Sequence, residues 1–387
     1  MQDSSSPRKI VAVPCGKEYY ANEQLALHPQ NNGLPMTVRL KDIARDLGVS
    51  VITASKALRG SKDISDETRR RVLARMREVN YQPNMTARAL ATGHSSIIGL
   101  IVPDLVHPFF AELAKALGGA LRKNNYGLIL ASSEEDPGIE QEEIRMMLAR
   151  RVGALLIAST RPSLEGIYNM DDLRTPLILV DRNFPQLRVS FVGTDDYAGG
   201  QLAGEHLLSL GRSHLAHIGG PDLSPAIDRF LGFQGALRRH GIDLPESHVI
   251  SVARVEELGD EAGYAVMQQL LRLNPVPDAV FCYNDLTAIG AMQAALDAGF
   301  SIPDQIAFLG FGNVRYSKYL RVPLSSIEQS TSELGVKAAE LALKLIREPG
   351  TLHTTIKLPP SLIVRASSLV EPAPKRRSTS LPSPRKR

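Results

Sequence analysis

Five side chains lie within six residues of one another: Val51, Ile52, Thr53, Ser55 and Lys56. A lysine ammonium can donate to the O6 and N7 acceptors of a guanine edge. Valine and isoleucine cannot hydrogen-bond, but they pack on thymine methyls, while the Thr53 and Ser55 hydroxyls suit phosphate oxygens. Thr37, Lys41 and Arg59 flank the set as further contacts. That is the chemistry of a groove-reading element; a plain helical bundle with solvated charges is the alternative. Nothing comparable supports turnover. Gly310-Phe-Gly312 has no third glycine at dinucleotide spacing, and there is neither a Gly-Lys-Ser/Thr phosphate loop nor a Gly-x-Ser-x-Gly elbow. His107, His206, His214 and His217 form no metal spacing with Asp or Glu. No catalytic residue, metal or cofactor is expected.

The charge distribution agrees. Net charge is +4, yet residues 37–93 carry about +6, the tail after Pro372 about +6, and the middle about −8. A small basic head on an acidic body suits one polyanion-binding module beside a module with another task. Cys15 and Cys282 are far apart in sequence, which fits a reducing cytoplasm. No apolar run is long enough to span a membrane. The first residues lack an apolar segment followed by a small-residue cleavage site, so no signal peptide is expected.

The elements that position these residues follow from periodicity and caps. Residues 1–36 show no sustained period and read as a poorly ordered extension. Leu40, Ile43, Ala44 and Leu47 share one helical face, which Gly48 stops. Ser50 is placed to cap a second helix running to Leu58. Arg59–Ile64 reads as a loop. Ser65 caps a third helix, with Asp66 and Glu67 in its first turn and Val72, Met76 and Val79 as its buried stripe. After Pro83, Asn84 can cap a short helix, Met85–Ala91, closed by Gly93. The resulting segments are a helix-turn-helix unit over 37–83, a hinge helix over 84–94, a core over 95–371 and a disordered basic tail over 372–387.

From Ile97 the texture alternates strand and helix. The apolar runs are Ile97–Val102, Leu128–Ala131, Leu155–Ala158 and Leu177–Val180, then Leu215–Ile218, Val249–Val252, Ala279–Cys282 and Ile306–Leu309. Amphipathic stretches separate them, which predicts parallel sheets in two doubly wound α/β subdomains with ligands at the strands' carboxyl ends. Ser325–Gln329 and Leu358–Val364 are candidates for segments that stitch the halves together.

Leu40-Lys-Asp-Ile-Ala-Arg-Asp-Leu-Gly-Val-Ser50, Thr53-Ala-Ser55, Ile64-Ser-Asp-Glu-Thr-Arg69, Asn80-Tyr-Gln-Pro-Asn84 and Ala87-Arg-Ala-Leu90 form a long ordered series. Over Met36–Gly93 the chain resembles the head of the LacI/GalR family of repressors, and the resemblance continues to about Ser367. It implies a regulator whose hinge helix folds on a pseudo-palindromic operator. Leu90 would wedge into the minor groove, Ala87 would let two hinges approach, and Asn84 and Arg88 would lie at the same contact. It also implies a homodimer and a core similar to periplasmic sugar-binding proteins, with a sugar, sugar acid or sugar phosphate as effector. The family usually has a polar or aromatic residue at one or both of the positions of Val51 and Ile52, and often Arg or His at Lys56, so the operator cannot be copied from a relative.

In the core, the matching pieces are Ile98–Pro103, His107–Phe110, Val180-Asp-Arg182, Asp228–Phe233, Cys282–Asp285 and Gly310–Asn313. Phe109 or Phe110 could stack on a ligand face or belong to the core. Arg182 falls in a matching piece, and Arg229 offers a planar fork or a simple ion pair. Asn284 and Asp285 follow a strand, and Asp285 could instead cap the next helix. Ser133 and Gln329 complete the set. The family commonly has Asp at the position of Gly312. Its replacement predicts room for a bulkier or anionic effector, with Arg229 unopposed. A solute-binding protein built on the same core is the competing function; the basic head argues against it.

Overall fold

The computed structural model describes residues 38–58, 60–82, 95–161, 175–256 and 258–369. Two compact units divide between residues 83 and 84. In the first, α1 (Leu40–Leu47), α2 (Val51–Leu58) and α3 (Asp66–Glu78) enclose a small core of Ile43, Ala44, Ala54, Ala57, Val72 and Met76. Gly48 sits at φ 66°, a region that favours glycine, and its N–H donates to the carbonyls of Ala44 and Arg45. The Ser50 hydroxyl accepts from Thr53 N–H at 3.0 Å, and the Ser65 hydroxyl accepts from Thr68 N–H at 3.3 Å. Each satisfies an amide that the first turn leaves unpaired. Arg75 adds a staple to Asp46 at 2.7 Å between α3 and α1.

The second unit holds two six-stranded sheets. The first is formed by β1 (Ile97–Val102), β2 (Gly127–Ser132), β3 (Ala154–Ile157), β4 (Leu177–Val180), β5 (Ser190–Thr194) and the late strand β11 (Thr355–Leu358). The second contains β6 (Leu215–Gly219), β7 (Val249–Ser251), β8 (Ala279–Cys282), β9 (Ala307–Phe311), β10 (Ser325–Glu328) and β12 (Ser361–Ile363). Their orders, β11-β5-β4-β3-β1-β2 and β12-β10-β9-β8-β6-β7, repeat one winding pattern. All pairings are parallel except β10 with β12, which is antiparallel and departs from the expected all-parallel sheets. The central strands are buried along nearly their whole length because helices cover both faces. That is why they read as unbroken apolar runs.

The helices are α4 (Pro108–Lys123), α5 (Pro137–Ala149), α6 (Asp196–Ser209), α7 (Ser224–Arg239), α8 (Gly259–Leu270), α9 (Asp285–Asp297) and α10 (Thr331–Arg347). α10 packs on the first lobe although it follows a strand of the second, with Leu334, Ala338 and Ala342 buried beside Leu113 and Leu117 of α4. The chain therefore crosses between lobes after β5, after β10 and between β11 and β12. Of the two segments expected to stitch the halves, Leu358–Val364 does cross, from the end of β11 into β12, whereas Ser325–Gln329 holds β10 of the second sheet, with the crossing at its end. Strand order reverses beside β1 in one lobe and β6 in the other, so the cleft opens where ligand sites form in wound sheets.

Candidate DNA-reading face and effector cleft

The turn at Gly48 and the Ser50 cap set the start of α2, and the outward side of that start is apolar. Val51 is 47% exposed and Ile52 is 67% exposed, an unfavourable placement for such side chains unless something covers them. The Thr53 hydroxyl lies 2.9 Å from the Ser50 hydroxyl, within the cap. Ser55 is half-buried and Lys41 exposed. Lys56 is not a free donor as expected: its Nζ lies 2.5 Å from Asp63 Oδ2, with the two side chains 39% and 54% exposed. Thr37, Arg59, Asn84, Ala87, Arg88 and Leu90 lie outside the described residues.

The cleft is built at strand ends. Asp181, directly after β4, takes φ 64°, a left-handed turn that aspartate tolerates better than most residues. The next residue, Arg182, is buried in the cleft. Its Nη1 donates to the Ser159 carbonyl after β3, and its Nη2 donates to Glu256 Oε1, each at 2.9 Å. Glu256 comes from the opposite lobe, beyond β7. His107, after β1, presents Nε2 3.4 Å from Glu256 Oε2, and the Tyr283 hydroxyl, after β8, lies 3.4 Å from Glu256 Oε1. Asn183 N–H also crosses, donating to the Ser224 hydroxyl at 2.7 Å. Arg182 is 1% exposed, and His107, Asp181 and Glu256 are each 5% exposed.

Arg229 forms a second pair. Its Nε donates to Asp196 Oδ1 at 2.8 Å, its Nη1 donates to the Tyr283 carbonyl at 2.9 Å, and its guanidinium lies 3.7 Å from the Phe311 ring centroid. The expectation of an unopposed Arg229 is therefore corrected: a carboxylate 33 residues away meets it. Gly312 takes φ 118°, where an L side chain is strained. A Cβ there would meet only Gln329 Oε1 at 3.5 Å and Val314 Cγ1 at 4.0 Å. Backbone conformation, rather than crowding, thus disfavours aspartate at this position.

Three further expectations are revised. Asp285 is fully buried and accepts from the Ser326 hydroxyl at 2.6 Å, Val314 N–H at 2.7 Å and the Ser317 hydroxyl at 2.8 Å, so it braces the second lobe instead of facing a ligand. It does not cap α9. Asn284 does, accepting from Thr287 N–H at 2.9 Å while its amide donates to the Val255 carbonyl. Ser133 is fully buried, and its hydroxyl bonds only the Val102 carbonyl. Phe109 and Phe110 pack edge to face, 5.0 Å between centroids, within the first lobe's core, although Phe110 also reaches toward Arg182. A cavity of about 960 Å³ lies on the flank between α4 and α10. Its lining includes Phe109 and Gly312 but neither Arg182 nor Arg229.

Burial, with Asp196 alongside, pushes the Asp181 carboxyl up to about 7. Burial also raises Asp196, to about 6, against the pull of Arg229. Burial lowers His107, against the pull of Glu256. It opposes the charge on Glu256 as well, but His107 and the Arg182 guanidinium hold that carboxyl below its usual range. Of the cleft's buried donors, Arg182 Nε, His107 Nε2 and Gln329 Nε2 make no hydrogen bond among the described residues, the 3.4 Å approach of His107 to Glu256 being a charge contact only. Since His107 Nδ1 accepts from Phe109 N–H at 3.3 Å, a neutral His107 carries its proton on Nε2. Glu256, Asp196 and Tyr283 escaped the sequence reading. Only Tyr283, inside a motif already singled out, carried a local signal.

Comparisons with known proteins agree with this architecture. The family described as "Periplasmic binding proteins and sugar binding domain of LacI family" matches residues 95–365, and "Bacterial regulatory proteins, lacI family" matches residues 39–84. The chain is 31% identical to the HTH-type transcriptional regulator DegA of Bacillus subtilis, covering 86% of this chain and 98% of that one. It is 30% identical to the HTH-type transcriptional repressor PurR of Histophilus somni, covering 85% and 98%. Among solved structures, the lac repressor dimer bound to operator and an anti-inducer superposes with a TM-score of 0.75 at 24% identity, covering 86% of this chain and 99% of that one.

Proposed function

We propose, for a chain that belongs to the LacI family of bacterial regulatory proteins, that it binds a pseudo-palindromic operator as a cytoplasmic homodimer and leaves it when a neutral, polyhydroxylated small molecule enters the cleft. That it is a DNA-binding transcriptional regulator and not an enzyme follows from the family. In this reading Val51, Ile52 and Lys56 meet base edges, while Thr37, Lys41, Ser55 and Arg59 serve phosphates. Residues 84–90 form the hinge, with Leu90 as wedge. No helix among the described residues is long and apolar enough to cross a membrane.

One observation carries the effector class. Each cleft arginine already faces a carboxylate, Arg182 with Glu256 and Arg229 with Asp196, so an added anion would be buried without a counter-charge. The atoms still open to a ligand are a neutral donor and one arm of a paired guanidinium: Gln329 Nε2 and Arg182 Nε, neither with a partner among the described residues. Hydroxyl groups can accept from these and donate to Asp181. Because the cleft is spanned from both lobes, a ligand that enters must reset the angle between them, and a hinge attached to one lobe can transmit that change.

The test is selection of duplexes from a random pool by the full chain, followed by titration of the enriched site with neutral sugars, sugar acids and sugar phosphates. A palindromic site released by a neutral sugar supports the reading. A pool without consensus sinks the operator part, and release by phosphates alone sinks the effector part.

A further inference from the structure

The cleft contains an anion subsite whose occupant belongs to the chain itself. Arg182 is 1% exposed and spends two of its three nitrogens on one carbonyl and one carboxylate. The carboxylate comes from the other lobe, on the segment after β7 that leads into α8. It meets Arg182, His107 and Tyr283 together. Arg182 Nη2 donates to Glu256 Oε1, the Tyr283 hydroxyl lies 3.4 Å from the same oxygen, and His107 Nε2 stands 3.4 Å from Oε2. Such a convergence is how a protein holds a carboxylate or phosphate. Arg229 lacks this character, since Asp196 is its neighbour on its own side and the Phe311 and Tyr283 rings pack against its guanidinium.

We propose that Glu256 is the specificity-determining residue of the cleft: a built-in carboxylate that fills the anion subsite of Arg182, bars acidic effectors and ties the lobes together without a ligand. The inference rests on the effector-cleft reading above and names what that cleft rejects. Two consequences follow from the geometry. An acidic ligand has no unpaired cation to meet and would face Glu256 at close range. Removing the Glu256 side chain frees Arg182, His107 and Tyr283 in one stroke and leaves a space shaped for a small carboxylate.

The experiment is anion rescue in the full-length chain. Thermal unfolding is followed in wild type, Glu256→Ala and the double variant Arg182→Met/Glu256→Ala. Sodium formate is increased at constant ionic strength against chloride, with inorganic phosphate as the larger probe. Glu256→Ala should melt several degrees lower than wild type, and formate should raise its Tm saturably. Wild type should respond to neither anion beyond chloride, and the double variant should lose the formate response. If Glu256→Ala does not fold, Glu256→Gln takes its place. Its uncharged amide yields the fork to formate, and the same saturable rise above wild type is expected. The proposal is overturned if the variant responds to formate no more than wild type, if wild type itself responds saturably, or if the double variant keeps the response. Operator binding by the same wild-type preparation reads the function separately. A chain that finds no operator would sink the regulatory reading and leave the rescue result standing, and the reverse holds equally.

Discussion

Two lysine- or arginine-to-carboxylate pairs occupy the two units of this molecule, and they differ in nearly everything but their chemistry. Lys56–Asp63 sits on the head with its side chains 39% and 54% exposed. Arg182–Glu256 sits in the cleft with its side chains 1% and 4% exposed. Water and salt screen the first, so it contributes at most about 1 kcal/mol and its members exchange partners readily. The second has already lost its hydration, and each charge there depends on the other. A side chain that has to let go of its partner to touch DNA belongs on the surface. A side chain that holds two lobes at one angle belongs inside.

The sharpest way to break this contrast is Arg182→Ala. It leaves Glu256 buried without its guanidinium, and loss of one member of a buried pair costs about 3–5 kcal/mol. Denaturant unfolding of the full chain measures it. A loss below about 1 kcal/mol would place the cleft pair in the same class as the surface pair.

Acidity probes the cleft from another side. The folded Asp181 carboxyl titrates at about 7, well above its ordinary value of 3.8. A raised carboxyl binds its proton more tightly in the fold, so its contribution is fully present below the unfolded value and is lost as pH rises toward 7. Asp181→Asn should remove that loss. Relative to wild type, the variant should gain roughly 2–4 kcal/mol between pH 4 and pH 8, because each tenfold difference in proton affinity between fold and unfolded chain is worth roughly 1.4 kcal/mol. Parallel stability-against-pH curves for the two proteins would show that Asp181 is ionised in the fold.

The same contrast explains what the sequence could reveal. The head was legible almost residue by residue because short-range rules govern it: Gly48 had to supply a positive φ, and Ser50 and Ser65 had to satisfy amides three residues on. The buried strands were legible as apolar runs. Ser190–Thr194 was not, because its sequence Ser-Phe-Val-Gly-Thr lacks such a run and becomes a strand through pairing with β4 and β11. The cleft was legible only in part. Arg182 and Arg229 stood in matching pieces, yet their carboxylates lie 74 and 33 residues away. Nothing local distinguishes Glu256 from the solvated acid that its neighbours suggest; only closure of two lobes buries it. The cap of α9 was misplaced by one residue because Asn284 and Asp285 are both good caps, and the three donors around Asp285 that decide between them are far off in sequence.

On the head, Lys56→Ala tests whether exchange of partners has a purpose. Folding stability should change by less than about 1 kcal/mol, since an exposed pair is lost. Operator affinity should fall by about 1–3 kcal/mol, and discrimination at one base pair per half-site should relax. Binding to every single-base variant of the selected operator measures both. Equal losses across all sequences would assign Lys56 to phosphate alone.

The smallest expected effect isolates the partner. Asp63→Asn keeps the side chain's size and releases the Lys56 ammonium from a carboxylate 2.5 Å away. In wild type, Lys56 has to give up Asp63 before it touches DNA, and phosphates near Asp63 meet a like charge. The exchange penalty applies in full on the operator, where Lys56 leaves Asp63 for a guanine, and only in part on nonspecific DNA, where Lys56 can keep its partner. The variant should therefore bind both duplexes more tightly, by less than about 1 kcal/mol, with the larger gain on the operator, so that its specificity ratio rises. Competition between operator and nonspecific duplex at two salt concentrations reads the ratio directly. An equal gain on both duplexes would mean that Asp63 only sets net charge, and that the surface pair, unlike the buried one, carries no information about what the protein binds.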